Sequence, residues 1–207
     1  MPEILRIGVL GSTRGTDLQA VIDAIEKKEL PAKIVLVASD KRDALILGRA
    51  KKHGIKNVFL DKKKFSSRQE FDKVLAGLFE KEKANVILLI GYMRILSSEF
   101  CKKFEYKIMN IHPSLLPVFA GARDLDVHGE VKKRGLKETG CTLHFVTPQV
   151  DGGPVIMQKR VLVYPTDSVE GIKNRVQAAE QEVILKALKL FAEHKIAVKD
   201  GLVKLLD

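Results

Sequence analysis

Four short apolar runs rich in branched residues, at 4–10, 34–38, 58–60 and 86–90, are separated by three longer stretches of helical character. This order constrains the fold more than any other feature of the chain. Leu18, Val21, Ile22 and Ile25 fall on one stripe of a helix, as do Phe71, Val74, Leu75, Leu78 and Phe79. Residues 43–53 read as the helix between them, stopped at Gly54. Strands joined through helices pair in parallel by right-handed crossovers, and a parallel sheet is covered on both faces. The expected class is therefore α/β: an open, mostly parallel twisted sheet with helices on both faces, Rossmann-like in its winding. A fifth strand is expected at 107–111.

The second half changes character. Residues 142–146 and 155–163 read as strands with no full helix between them, able to pair antiparallel around Asp151-Gly152-Gly153-Pro154. A surface helix carrying His128 is expected at 123–134. Asp167 or Ser168 caps a long helix with Ile172, Val176, Ala179, Val183, Ala187 and Leu190 on its apolar side. Asp200-Gly201 between apolar runs is a hairpin signal. No repeat, low-complexity stretch or linker interrupts the 207 residues, which are expected to form a single domain.

Composition removes several classes. No apolar run approaches a membrane span. Glu3 and Arg6 stand where a signal peptide needs an apolar core, so a cytoplasmic protein is expected. Cys101 and Cys141 have no metal or redox spacing, and the five histidines include no His-Glu-x-x-His, so no metal is expected. The net charge of +10 is spread along the chain, aromatics are 6% and Trp is absent. A lysine-rich solvated surface comes first, an anionic small substrate second and nucleic acid last; no membrane partner is expected.

Three places can carry chemistry. Asn110 and His112 lie two residues apart in an expected strand, so both side chains point to one side. One is a neutral hydrogen-bond donor and the other a proton carrier near neutral pH, a pair suited to charge building on a carbonyl oxygen. Gly11-Ser12-Thr13-Arg14-Gly15-Thr16-Asp17 follows the first strand and opens the first helix. Its backbone N–H groups and hydroxyls, with Arg14, suit an anion, although it is neither Gly-x-Gly-x-x-Gly nor a Walker loop. Both places fall at the carboxyl ends of strands, where open α/β sheets bind ligands. Asp151 is either a turn former or a carboxylate brought close to His112, which would raise the imidazole pKa. His144 is expected to be a hydrogen-bonded interior residue. His53 and His194 sit near helix ends, where a cation is favoured. The segment 91–96 at the end of the fourth strand could wall a flat organic ligand.

These pieces, in this order, resemble the phosphoribosylglycinamide formyltransferase family, over nearly the whole chain. The segments that carry the resemblance are Gly15-Thr-Asp-Leu-Gln-Ala20, Met93-Arg-Ile-Leu-Ser97, Asn110-Ile-His-Pro-Ser-Leu-Leu-Pro117, Gly140-Cys-Thr-Leu-His-Phe-Val146, Asp151-Gly-Gly-Pro-Val-Ile156 and Arg175-Val-Gln-Ala-Ala-Glu180. The Asn-Ile-His-Pro-Ser-Leu-Leu-Pro stretch is specific to folate-dependent formyltransferases as a superfamily. The resemblance implies transfer of a formyl group from 10-formyltetrahydrofolate to the glycyl amine of a phosphoribosyl substrate, in purine synthesis. It implies a phosphate-binding half at 1–100 and a catalytic, folate-loop half at 101–207. Asn110, His112 and Asp151 would be catalytic, with Asp151 keeping His112 charged and oriented. Gly15, Thr16 and Asp17 would meet the substrate phosphate, and Gln177, Ala178, Ala179 and Glu180 the rest of that substrate. Arg68, Met93, Arg94, Ile95, Leu96, Asn110, Thr147, Pro148, Gln149, Val150 and Asp151 would line the folate site. The partners implied are small molecules, with the chain a monomer or homodimer.

Two departures stand out. The family loop carries Gly-Ser-Asn where this chain has Gly15-Thr16-Asp17. The stretch 119–128 differs from the family's Gly-x-His-x-x-x-x-Ala, so its contacts do not transfer. A formyltetrahydrofolate hydrolase shares the Asn/His/Asp logic, but that family carries His-His where this chain has His112-Pro113, and an extra N-terminal domain. A tRNA-directed formyltransferase needs a C-terminal RNA-binding domain. A non-catalytic nucleotide-binding module accounts for the first loop and leaves Asn110, His112 and Asp151 unexplained.

Overall fold

The computed structural model describes residues 4–121 and 124–206, and of 124–126 the backbone alone. The elements run β1 (Leu5–Gly11), α1 (Thr16–Glu26), β2 (Ala32–Ser39), α2 (Leu45–Lys52), β3 (Asn57–Phe59), a 3-10 turn (Lys62–Lys64), α3 (Arg68–Lys81), β4 (Val86–Ile90), α4 (Ser98–Lys103) and β5 (Ile108–His112). They continue with α5 (Asp124–Lys133), β6 (Glu138–Phe145), β7 (Val155–Leu162), α6 (Val169–Ala192), β8 (Ile196–Lys199) and β9 (Leu202–Leu205). The expected α/β class holds. Seven strands form one sheet in the order β3-β2-β1-β4-β5-β6-β7. The first five pair in parallel, and β6 and β7 are antiparallel additions.

Two cores flank the sheet. One side packs Leu18, Val21, Ile46, Val127, Val131, Val176, Ile184 and Leu188, from α1, α2, α5 and α6. The other packs Phe71, Leu75, Phe79, Phe100 and Cys101, from α3 and α4. The strands alternate between these sides: Val9 joins the first and Leu10 the second. This is why β1, β2 and β4 read as unbroken apolar runs rather than alternating ones.

The winding reverses at β1. From β1 the chain steps to β2 and β3, then crosses back to β4 and continues to β5. The loops leaving β1 and β4 therefore lead to helices on opposite faces of the sheet, and this switch point at the carboxyl ends of the strands is where wound sheets bind ligands. The β1 loop meets α2 closely. Gly15 has φ 68°, and a Cβ there would come within 2.5 Å of Ile46. Only glycine fits that turn and that approach.

Of the two cap candidates before α6, Ser168 does the capping, its hydroxyl accepting from Gly171 N at 3.0 Å. Asp167 instead takes a two-pronged bond from Arg175 at 2.7 and 2.9 Å. Asp200 and Gly201 both have positive φ and join β8 to β9, the expected hairpin. One expectation fails outright. His128 is 1% exposed, on the face of α5 that packs against α6 beside Val127 and Val131, and is not a surface residue. Arg123, where sequence periodicity begins this helix, lies outside the described residues.

Ser168→Ala removes the cap from α6, a loss of ~1 kcal/mol. A fall in Tm of about 2–4 °C is expected by thermal unfolding for a chain of this size. An unchanged Tm contradicts the capping role.

Candidate active site

β5 ends at the same carboxyl edge of the sheet, beside β4. Its antiparallel neighbour is in a register that sets Asn110 opposite His144 and His112 opposite Thr142. Side chains directly opposite on one face of such a pair are in reach of each other. Asn110 Nδ2 meets His144 Nε2 at 3.1 Å. The His144 Nδ1 faces the Phe145 carbonyl at 2.9 Å, and a carbonyl only accepts, so Nδ1 carries a proton. Thr142 Oγ1 donates to the Ser114 carbonyl at 2.7 Å and accepts from Leu116 N at 3.0 Å, holding the turn that follows His112. His144 is the buried, hydrogen-bonded interior residue expected, and its partner is Asn110.

Asp151 sits in the β6–β7 connection with φ 50°, a left-handed backbone that aspartate tolerates better than most residues. One carboxylate oxygen lies 3.5 Å from His112 Nδ1 and the other 3.6 Å from His144 Nε2. The turn former and the partner of His112 are thus one residue. Asp151 stays ionised, its pKa held down to about 2 by the polar contact with His144 and the Gly121 N–H, with help from His112 and against burial. At 2.7 Å the Gly121 N–H is the better-formed of the two bonds, since the His144 contact exceeds hydrogen-bond length.

Burial, not Asp151, decides the net shift of His112. Asp151 does pull its pKa upward, as does the Phe119 carbonyl 3.1 Å from Nε2. Burial outweighs both, with His144 adding to the downward push, and the imidazole falls below its usual 6.5. The ring is only 4% exposed, and taking an imidazolium out of water costs more than one partly exposed carboxylate returns. Uncomplexed His112 is therefore neutral at pH 7, with Nε2–H directed at Phe119. The carbonyl of Phe119 has no signature in sequence: it is turned inward by a residue at φ 60°.

The β1–α1 loop supplies the other end. Gly15 caps α1 without any side-chain bond, so first-turn N–H groups of α1 have no capping side chain. Arg49 of α2 reaches the loop, Nε to the Arg14 carbonyl at 2.9 Å and Nη1 to Gln19 at 3.0 Å, a cation that spacing did not reveal. Asp17 is 7% exposed and Glu180, on α6, is 8% exposed. Both bear on Cys141, whose thiol pKa burial pushes up to about 12. Of the remaining α6 candidates, Gln177 is half-buried, Ala178 exposed and Ala179 part of the core. A cavity of about 510 Å³ lies beside the loop, lined by Ser12, Thr13, Arg14 and 41–45. Asn110, His112 and Asp151 are not in its walls.

Ser12 ties the loops together. Its N–H donates to the Gly91 carbonyl at 3.2 Å, its Oγ donates to Asp40 at 2.6 Å, and Met93 N reaches the same Oγ at 3.4 Å. Beyond this tie Met93 and Ile95 are 44% and 54% exposed, whereas Leu96 is buried in the α3–α4 core. Arg94 stacks 4.3 Å over Phe71, and Arg68 stands exposed at the start of α3. In the β6–β7 connection Thr147 is half-buried, and Pro148, Gln149 and Val150 are exposed. Of the stretch 119–128, Ala122 and Arg123 lie outside the described residues.

This arrangement is that of an acyl-type transferase built at the switch point of a wound sheet. The formyl transferase family profile matches residues 5–188. A phosphoribosylglycinamide formyltransferase of Haemophilus influenzae is 39% identical over 95% of this chain and 92% of its own length. The crystal structure of glycinamide ribonucleotide transformylase 1 from Symbiobacterium toebii superposes with a TM-score of 0.93, at 38% identity, over 99% of this chain and 95% of that one. A formyltetrahydrofolate deformylase of Pseudomonas syringae shares the fold at 27% identity and a TM-score of 0.88, with this chain covering 67% of it. The chain belongs to the formyl transferase family.

By NMR, the His112 ring is expected to titrate below 6.5, and lower still in Asp151→Asn, which removes an upward pull. A rise or no change in that variant contradicts the pairing. The sign for stability follows. A group whose folded pKa is depressed adds stability that is present above the unfolded value and is lost as pH falls through the folded one. His112 therefore weakens the fold as pH drops below 6.5.

Proposed function

We propose that the protein transfers a formyl group from 10-formyltetrahydrofolate to the glycyl amine of 5-phosphoribosylglycinamide. The observation that carries this reading is the convergence of Asn110, His112 and ionised Asp151 at the sheet edge that also carries two loops. One offers helix N–H groups to a phosphate, and the other offers exposed apolar side chains to a flat donor.

In this reading the phosphate lies at Gly15, Thr16 and Asp17. Gln177, Ala178, Ala179 and Glu180 flank the acceptor, Ala179 through its backbone. Arg68, 93–96 and 147–151 face the donor. The amine attacks the formyl carbon, and its charge appears on the former carbonyl oxygen. Asn110 Nδ2 is a donor already positioned by His144, so it meets that oxygen without reorganising. Neutral His112 takes a proton from the attacking nitrogen, directly or through one water, and becomes an imidazolium beside Asp151. It then returns the proton to the departing folate nitrogen as the C–N bond to the donor breaks. The acceptor has gained the formyl group, the donor nitrogen a proton, and His112 is neutral again. Asp151 thus acts mostly while the imidazolium exists, which favours the transition state over the resting enzyme.

Loss of 10-formyltetrahydrofolate, followed with and without phosphoribosylglycinamide, tests this. Turnover is expected only with the amine. Equal loss without it points to the hydrolytic reaction named for the Pseudomonas relative, and no loss in either case ends the enzymatic reading. Asn110→Ala is expected to lower kcat by ~10²–10³. His112→Ala and Asp151→Ala are expected to lower kcat far more than they raise either KM. Near-normal kcat in any of the three contradicts its role.

A further inference from the structure

We propose that Asp72 is a positioning residue for the donor side of the site, its buried carboxylate fixing the segment 93–97 and the direction of Arg94.

Asp72 lies on the inward face of α3 among Phe71, Leu75, Ala76 and Phe79 and is 2% exposed. A carboxylate in such a place is costly unless it is bonded and faced by positive charge. Burial pushes its pKa up, while bonds from Ser97 and the charges of Arg94 and Arg68 pull against that. The bond from Ser97 N is 2.5 Å long. Ser97 in turn caps α4 through Phe100 N at 3.3 Å. Asp72 therefore joins α3 to the connection between β4 and α4, where an apolar residue would give packing but no fixed register. Arg94 lies over the ring of Phe71, the neighbour of Asp72 in sequence, and Phe65 meets that ring edge-on at 5.2 Å.

The other end of the segment is pinned by Ser12 at Met93 N. Between the two anchors, Met93 and Ile95 project as exposed apolar side chains. A short segment held at both ends with apolar groups standing free is a preorganised wall, and preorganisation lowers the ordering cost of binding. The groups that face Asp72 are Ser97, Arg94 and Arg68, which in the proposed reading belong to or adjoin the donor wall. Its influence should fall on one substrate alone.

This inference rests on the reading that 93–96 faces the formyl donor. Steady-state kinetics with each substrate varied separately tests it in Asp72→Asn, which keeps an oxygen for Ser97 N and removes the charge. The donor KM is expected to rise about tenfold, equivalent to ~1.4 kcal/mol. The expected kcat and acceptor KM stay within about twofold of the parent enzyme. Ile95→Ala serves as the reference. A donor KM raised in Ile95→Ala and unchanged in Asp72→Asn overturns the role of Asp72 and keeps the donor wall. A donor KM unchanged in both overturns the donor wall itself. Equal changes in kcat and both KM values make Asp72 a merely structural residue and also overturn the proposal. If Asp72→Asn does not fold, Arg94→Lys, which cannot keep the planar stack on Phe71, must raise the donor KM alone; no rise there overturns the proposal.

Discussion

The antiparallel register between β5 and β6 is the constraint on which the site depends. It sets Asn110 against His144 and His112 against Thr142. A slip of one residue would turn all four side chains to the opposite face of the sheet. The register is itself secured from outside the pair. Thr142 holds the Ser114 carbonyl and Leu116 N, and Gln158 of β7 donates to both Thr142 Oγ1 and the Leu116 carbonyl. Two strands and one turn thus share a single hydroxyl, next to the strand end that carries the candidate site residues Asn110 and His112.

Much of the frame was legible because it is local. Apolar runs and helical stripes located the five strands and the helices α1, α2 and α3 of the parallel half, though not the short α4, and Asp200-Gly201 located the final hairpin. What was not legible depended on neighbours distant in sequence. His144 is the hydrogen-bonded interior residue expected, but only the partner strand shows that it faces Asn110. His128 looked exposed because the side of α5 that meets α6 follows from docking, not from periodicity. The Phe119 carbonyl and Arg49 reach the site through a turn and a helix face with no motif to mark them. The state of His112 was misjudged for a different reason. The sign of the Asp151 effect was right, but sequence does not show how deeply the ring is buried, and burial decides the sum.

That correction changes how the electrostatics divide. In the proposed reaction Asp151 is ionised throughout, and His112 is the group that changes state. A resting neutral imidazole beside a carboxylate is an unfilled partnership, completed when a proton arrives. The buried Asp72 works in the opposite manner. Its charge is faced at rest by Ser97, Arg94 and Arg68, and it holds backbone in place. One carboxylate anticipates a change and the other prevents one.

The sheet ends at β3, three residues long, and at β7, which carries Gln158, Lys159 and Arg160 and lies against the terminal hairpin. Unpaired strand edges invite a further strand from another molecule. Here one edge is too short to template such an addition, and the other presents charge and is partly covered. A chain this rich in parallel, slow-forming pairings exposes strands while it folds. The same economy at its borders limits the routes by which growing chains can join one another before the sheet is complete.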